Sequence, residues 1–540
     1  MDYRTERQLL SGTELEAAKN RPSQRVFVAC MALLAAAVVI VHGAIACRVG
    51  IPTRDAAEFV QLPARALRGD IPYRDFLMFY PPGYLVLPGF LAWVFGGQIV
   101  AVALASRVLE GVMIGLAVWF WTPGRRALPA AYLALALTAL GFGDETLLVW
   151  LAILAVPGLL LRASATGSLA AAGGVGLLAG IAGTVRMEQT PGLLAASVFA
   201  LVLWNRRSLG WRKLLCWTAV ALGAALIPWG LCILWIAAHG ALPQMVYHLT
   251  TLVRRHVAAI WVPPFWLAFF PPNPVRVIPK VVGFCAPVIL LAWGIGAQVA
   301  WNRRHRQVDQ SYQLLFTFWL LFGALLASRL TVRGDLMHLL TSSVALYVSG
   351  AWTVDTSWRM GGRWRLATVV LGGMVLLTPA AVLAERLSGL PGLLEARKTF
   401  ETIDSPVARG MLAPPEQAEA VNAVLRFLRE HAAPGEPIFV ADFGAPAYYV
   451  LSGHPNGTRY DSLLPGFMTE AEEAELVNRL RTGPVRFVIG REDWGLDRLP
   501  QRDFSRFAPR LHKYMITECH PVLQVGDQVI WERNAPAGAR

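Results

Sequence analysis

Charge is scarce in this chain, and acid scarcer than base. Only 16% of the 540 residues are Asp, Glu, Lys or Arg, and 36 acidic residues face 49 basic ones. Soluble globular domains carry roughly 25% charged residues, so this balance excludes an ordinary soluble enzyme. Cysteine is equally thin. Cys30, Cys47, Cys216, Cys232 and Cys285 lie in or beside apolar runs and Cys519 stands alone in polar sequence, which excludes a disulfide framework and shows no metal-ligand or redox spacing. There is no Walker loop, no dinucleotide glycine fingerprint, no HExxH and no GxSxG in a credible setting. Internal repeats and low-complexity tracts are missing too. The first 25 residues are polar and the apolar run after them is long enough to span, so no cleavable signal is expected and the first segment stays as an anchor.

Apolar residues are what the chain has in quantity. They make up 55% of it, with 19 Trp, the composition of a polytopic membrane protein. The net charge of +13 does not point to nucleic acid, because the basic residues fall in short clusters between apolar runs. Such clusters fix orientation in a bilayer.

Taken in order, apolar segments at 26–47, 99–121, 127–142, 146–161, 169–185, 190–204, 213–238, 278–301, 312–328, 337–353 and 366–384 predict about 11 transmembrane helices. Residues 84–97 are apolar but too short for a span, and read as a juxtamembrane or re-entrant piece. Lys19, Arg21 and Arg25 precede the first helix and place the N-terminus in the cytoplasm. Helix parity then puts most basic clusters inside, and residues 48–98 outside as the first external loop. The segment after 238 reads as an amphipathic surface helix closed by prolines, with His239, His248 and His256 as surface residues. The prolines and tryptophans at 261–272 read as a headgroup belt or as the border of a lipid groove.

Composition turns soluble near residue 385. The expected layout is a cytoplasmic tail at 1–25, a transmembrane domain at 26–384, a linker at 385–414 and an extracytoplasmic α/β domain at 415–540. In that last part, 415–432 and 469–483 have helical patterns, and PIFVAD at 437–442 and VRFVIG at 485–490 read as strands.

The chemistry concentrates in residues 51–84. Asp55 and Glu58 are three apart, so a helix over 54–68 would project both carboxylates from one face. Asp70 and Asp75 follow among Arg54, Arg65, Arg68 and Arg74. Paired carboxylates beside guanidinium groups suit removal of a hydroxyl proton and expulsion of phosphate; the alternative is a charge-balanced loop between helices. Further charges sit at helix ends or loops assigned to the same side. Asp144 and Glu145 are either site residues or a polar turn, and Arg186 and Glu188 either bind or form a structural ion pair. Arg329, Arg333, Asp335 and His338 stand at near-helical spacing, as a phosphate site or a contact with lipid headgroups. Ionisable residues near membrane depth are costly and usually functional. Tyr448, Tyr449, Arg459, Tyr460 and Asp461 are either glycan contacts or packing and turn residues.

The acidic loop followed by GDIPYRDFLMFYPPGYLVLPGFLAWVFGG resembles the GT-C membrane glycosyltransferases, most of all the bacterial relatives of protein O-mannosyltransferases and the lipid A aminoarabinose transferase. GFGDETLLVWLAIL at 141–154 is similar to the family's acidic second external loop, and GLLAGIAGTVRMEQTPGLL at 177–194 is a weaker match. The chain departs from the aminoarabinose transferase pattern where Phe79 and Tyr80 replace an acidic-Lys pair before the double proline, so an Arg or His elsewhere has to meet the phosphate.

The resemblance implies transfer of a sugar from a polyprenyl-phosphate donor to a glycan, lipid or protein acceptor, on the non-cytoplasmic face of a bacterial inner membrane. With it, Asp55 is expected to act as the base of an inverting displacement. Arg333 and His338, with Arg54 or Arg74 as rivals, are expected to hold the leaving phosphate. Glu58 and Asp144 would orient the acceptor, or hold a divalent cation, which no ligand pattern demands. Two other classes share the helix count: a transporter or flippase of lipid-linked saccharides, and a non-catalytic envelope assembly protein. The first more often shows repeat symmetry and charges midway along helices.

Overall fold

The computed structural model describes residues 21–51, 54–142, 146–261, 274–305, 309–327, 336–442, 445–492, 494–495 and 499–534, and of residues 21, 54–56, 274–280, 336–342 and 445 the backbone alone. The chain opens with helix α1 (Arg21–Ala46) and continues with α2 (Arg54–Leu67), a single 3-10 turn at Pro82–Leu85, α3 (Val86–Val94) and α4 (Ile99–Trp121). Next come α5 (Ala127–Leu140), α6 (Leu147–Thr166), α7 (Leu169–Val185) and the 50-residue α8 (Gln189–Ala238). Then α9 (Leu242–Tyr247) runs through a π-turn at His248–Leu252 into α10 (Val253–Ile260), followed by α11 (Pro274–Arg304), α12 (Gln310–Ala327), α13 (Leu336–Met360) and α14 (Arg363–Ala396).

Among the described residues, seven helices are long and apolar enough to cross a membrane: α1, α4, α6, α8, α11, α12 and α14. Helix α3 spans nine residues, so it is about 14 Å long, less than half of a hydrocarbon core of about 30 Å. The segments expected as separate helices at 190–204 and 213–238 form one run broken at Gly210, whose φ of 71° and ψ of 158° lie outside helical space. Only glycine adopts such a backbone without strain. Helix α14 continues past residue 385, where a linker was expected, to Ala396, and carries Pro379 and Pro391 inside it.

Small residues set the helix spacing. A Cβ on Gly176 would lie 2.0 Å from the Ala221 carbonyl oxygen, and one on Gly180 would lie 2.4 Å from that of Ala225. The second half of α8 therefore lies directly on the α7 backbone. Helix α4 meets α1 the same way, since a Cβ on Gly111 would lie 2.8 Å from the Ala36 oxygen. In lipid the apolar side chains gain little by leaving the solvent, so close backbone approach of this kind supplies much of the packing energy. Around these contacts the bundle core is closed by aromatics, with Trp121 4.6 Å from Trp319 and Phe142 5.1 Å from Trp150, centroid to centroid.

The C-terminal part holds a two-stranded ribbon, β1 (Glu401–Thr402) with β2 (Leu412–Ala413), and then α15 (Pro415–His431), β3 (Phe439–Ala441), α16 (Ala445–Ser452), α17 (Glu470–Thr482) and β4 (Phe487–Gly490). It ends in α18 (Phe504–Phe507), α19 (Pro509–Glu518), β5 (Cys519–Val525) and β6 (Gln528–Arg533). The sheet order is β3-β4-β6-β5, with β3 and β4 parallel and the others antiparallel. Thr469 caps α17 reciprocally with Glu472, which fixes where that helix starts. One face of the sheet packs a core that includes Ala57 and Val60 of α2, and the other a core that includes Leu77 and Leu252. The sheet is thus joined to the bundle through α2, the 68–84 loop and the α9–α10 segment.

Replacing Gly180 by Leu is expected to lower the melting temperature of the detergent-solubilised protein by several degrees, because the side chain would collide with the α8 backbone. Gly173→Ala is the control, since its Cβ would meet nothing nearer than Val220 at 3.8 Å. Equal melting of the two variants would contradict this packing.

Candidate functional site

Helix α2 is buried almost all round. From Ala57 to Leu62 every residue is buried, and so is Arg65. Three of these, Glu58, Gln61 and Arg65, are polar and fall on one helical face by their spacing. Buried polar groups need partners. The loop at 456–462 supplies them. The Ser462 hydroxyl donates to Glu58 Oε1 at 2.7 Å, and Gln61 Nε2 donates to Asp461 Oδ1 at 3.1 Å. Arg65 donates through Nη1 to Asp461 Oδ2 at 2.8 Å and to the Thr458 carbonyl at 3.2 Å, through Nε to Asp70 Oδ2 at 2.7 Å, and through Nη2 to the Asp75 carbonyl at 2.8 Å. Burial opposes the Arg65 charge, but Asp461 and Asp70 outweigh it and hold the pKa above the ordinary arginine value.

Glu58 lines a narrow pocket with Leu77, Met78, Phe79, Tyr80, Asp461 and Ser462. Tyr80 is fixed from several sides: Tyr73 donates its hydroxyl proton to the Tyr80 carbonyl at 2.6 Å, and Tyr84 stacks on the Tyr80 ring at 4.6 Å. The Arg186 guanidinium lies over the same ring, 4.2 Å from its centroid, a cation–π contact. Phe79 packs on Phe467 at 4.4 Å and on His256 at 5.4 Å. Phe79 and Tyr80 therefore seat an arginine from the end of α7 and a histidine from α10 against one pocket wall.

Behind that wall the α9–α10 segment is bonded to the C-terminal loop. Arg255 donates to the carbonyls of Gly466 at 2.7 Å and Phe467 at 2.8 Å, and to Glu472 at 3.0 Å. His248 is fully buried and accepts at Nε2 from Arg459 at 2.8 Å. Burial, then the neighbouring Arg459 charge, pushes its pKa from 6.5 down to about 4. His248 is a core residue and not the surface residue expected from sequence. The half-buried His256 faces the Pro465 carbonyl at 2.9 Å and is covered as well. Tyr448, Tyr449, Tyr460 and Asp461 are also buried, as packing and linking groups.

The expected site residues separate as follows. Residues 54–67 are helical, so Asp55 stands three residues before Glu58 on one helix, while the Arg54 and Asp55 side chains lie outside the described residues. Asp144, Glu145, Arg329, Arg333 and Asp335 lie outside them altogether, as do residues 262–273 and the side chain of His338. Arg74 is exposed and directs its guanidinium to Asp75, at 2.9 and 2.8 Å, holding that carboxyl below its ordinary range. Glu188 is half-buried at the N-cap of α8, two residues from Arg186. Glu58 and Tyr80 line the same pocket, and Arg186 lies over the Tyr80 ring without lining that pocket itself. Among the described residues no group of three His, Cys, Asp or Glu is placed to hold a metal ion.

Sequence reasoning passed over Gln61 and Ser462, which carry no motif, and a charged pair inside α4. There Arg107 contacts Glu110, which is buried and also accepts from the Phe142 N–H at 2.7 Å. The signal was available: Arg and Glu three apart within an otherwise apolar helix are as costly as any ionisable group at membrane depth.

Compared with solved structures, the chain aligns with ArnT from Cupriavidus metallidurans bound to undecaprenyl phosphate, at 14% identity and a TM-score of 0.53, over 94% of this chain and 98% of that one. The chain has a GT-C fold. The ArnT structure in the apo state aligns at 13% identity and a TM-score of 0.40, over 92% and 96% of the two chains. No family model and no curated protein matches the sequence.

Two outcomes follow from this geometry. Asp461→Ala removes the buried partner of Arg65 and is expected to cost about 3 kcal/mol, read as a lowered melting temperature, whereas Asp404→Ala breaks only an exposed pair with Arg429 and should change little. An unchanged melting temperature for the Asp461 variant would contradict the role given to this pair. For His248, the unfolded ring titrates near 6.5 and the folded one near 4. The unfolded chain thus binds more protons between those values, so this contribution is complete above pH 6.5 and is lost as pH falls toward 4, by about 3 kcal/mol in all. His248→Gln should flatten the fall in melting temperature over that window; an identical pH profile would contradict it.

Proposed function

We propose that this chain transfers a sugar from a polyprenyl-phosphate donor to a cell-envelope acceptor, on the non-cytoplasmic face of a bacterial inner membrane. The observation that carries the reading is a fold shared along nearly the whole chain with a transferase structure bound to undecaprenyl phosphate. A charged pocket lies beside the helix that bears Asp55, which gives that likeness a local chemistry. In this reading the N-terminus is cytoplasmic and residues 415–540 are an extracytoplasmic domain.

Asp55 takes the proton of an acceptor hydroxyl as the oxygen attacks the anomeric carbon. The new C–O bond forms opposite the bond to phosphate, which breaks, so the configuration inverts. The electron pair leaves with the polyprenyl phosphate. That leaving group is already a stable anion and needs charge stabilisation more than a proton. Arg186, held over Tyr80 on the wall of the Glu58 pocket, supplies it, with Arg333, His338 and Arg54 as further cations. Glu58, oriented by Ser462, positions the acceptor. Asp144 shares that task, and a divalent cation between carboxylates is compatible with it. The loop carrying Asp461 builds the pocket and does not enter the reaction.

The test is the profile of lipid-linked sugars in a strain lacking the protein. Unused donor should accumulate and be cleared by the wild-type gene. Asp55→Asn should fail to clear it while reaching the membrane in equal amount, since losing a general base costs about a hundredfold or more in rate. Clearance by Asp55→Asn at the wild-type rate would overturn the assignment.

A further inference from the structure

The corner of the bundle where α13 turns into α14 is rich in arginine. Helix α14 is 34 residues long and reaches the C-terminal part only at its other end, about 50 Å of helix away. Arg304, in the last turn of α11, donates to the Met360 carbonyl at 2.7 Å, which brings the end of α11 beside Arg363 and Arg365 at the start of α14. The two helices continue side by side. A Cβ on Gly296 would meet Trp364 at 3.9 Å, and one on Gly372 would meet Trp293 at 3.6 Å.

The acids at this corner are already committed. Asp355, buried on α13, pairs with Arg126 at 2.7 Å, accepts from the Tyr312 hydroxyl at 2.9 Å and has Arg359 at 3.8 Å. Arg359 lies in turn over the Trp301 ring, 4.4 Å from its centroid. Asp309 accepts from the Ser311 and Tyr312 N–H groups, at 2.9 and 3.2 Å, and so caps α12. On the other side of the turn, Arg365 lies over the Trp358 ring at 5.3 Å and donates to the Trp358 carbonyl at 3.1 Å. Arg303 and Arg363 are exposed and have no partner among the described residues. Residues 306–308, outside the described residues, contain an arginine and no acid. Arg303, Arg304, Arg363 and Arg365 therefore remain as cations that Asp309 and Asp355 do not pair.

The surface next to these arginines is apolar. Ile295 and Val299 on α11, and Leu366, Val369 and Val370 on α14, are large and exposed, and both helices are membrane-crossing by length and composition. The guanidinium groups thus stand at the end of a lipid-facing surface, level with the exposed Trp358, the place of phospholipid headgroups. Basic groups there attract anionic lipids, and the forked guanidinium matches a phosphate group bidentately. From this arrangement we infer that the corner is a binding site for an anionic phospholipid. Arg303 and Arg363 meet the headgroup phosphate between Arg304 and Arg365, and the acyl chains follow the exposed apolar residues of α11 and α14. Net negative charge is the feature recognised, because a zwitterionic headgroup carries its own cation. The site does not depend on the sugar-transfer reading.

The test uses full-length, delipidated protein in detergent. Dioleoylphosphatidylglycerol and dioleoylphosphatidylcholine are added separately, with binding read by native mass spectrometry. Wild type should bind the anionic lipid in preference to the zwitterionic one. Arg363→Gln should weaken that binding about fivefold, and Arg303→Gln combined with Arg363→Gln about thirtyfold, the factors for one and two basic residues near an anionic headgroup. Neither arginine has a partner to lose among the described residues, so both variants should fold; Arg363→Gln alone carries the test if the double variant does not. Arg429→Gln, in an exposed ion pair elsewhere, should bind like wild type. Equal binding of the two lipids, or binding of the anionic lipid that is indifferent to Arg303 and Arg363, would overturn the site. So would no binding at all, the result if Asp2, Glu6, Glu14 and Glu16 of the N-terminal tail covered the corner instead.

Discussion

The buried contact between Arg65 and Asp461 is the constraint on which the placement of the site depends. It joins a helix from the start of the chain to a loop nearly 400 residues later, at 2.8 Å, with both side chains almost fully buried. A buried ion pair is no bargain in itself, because desolvation can exceed the Coulombic gain. Here the remaining donors are satisfied as well, by Asp70 and by the carbonyls of Asp75 and Thr458. A network filled in this way tolerates few alternative arrangements. It sets how α2 lies against the sheet, and α2 carries Asp55 and Glu58.

The same helix separates two chambers of different character. On one side, the loop at 77–80 and Ser462 enclose Glu58 in a narrow space, with Arg186 delivered across the Tyr80 ring. On the other, the membrane-crossing helices α1, α4 and α14 help to enclose a wider, mostly apolar cavity. The division follows from burying α2 on every side. Its polar face had to find partners in the C-terminal loop, while its apolar residues pack on the core of the C-terminal part and on α3 and α4.

The glycine contacts of α7 with α8 and of α4 with α1 serve this arrangement from a distance. Van der Waals approach of backbones gives the bundle a defined spacing where lipid offers no hydrophobic gain between helices. That spacing fixes the end of α7, and with it its C-cap Arg186. A Cβ on Gly83, in the PPGY turn, would lie 2.4 Å from the Thr184 hydroxyl, so the loop bearing Tyr80 is seated directly on the end of α7.

Much of the scaffold was legible in the residues. Long apolar runs, basic clusters and the turn to polar composition near residue 385 indicated a membrane bundle followed by an α/β part, because hydropathy and periodicity are local properties. The spacing of Asp55 and Glu58 likewise identified α2 before any fold was known, and the helix is there. Where side chains meet across the chain was not legible. Nothing local tells that Asp461 closes on Arg65 or that His248 is buried beside Arg459. The β5–β6 hairpin was missed as well, because its strands declare themselves only when paired on the sheet. Sequence determined which segments are helical and apolar and which carry ionisable groups, since each of these is fixed within a few turns of the chain. Tertiary structure alone decided which charges neutralise one another, because that depends on distances between residues hundreds of positions apart.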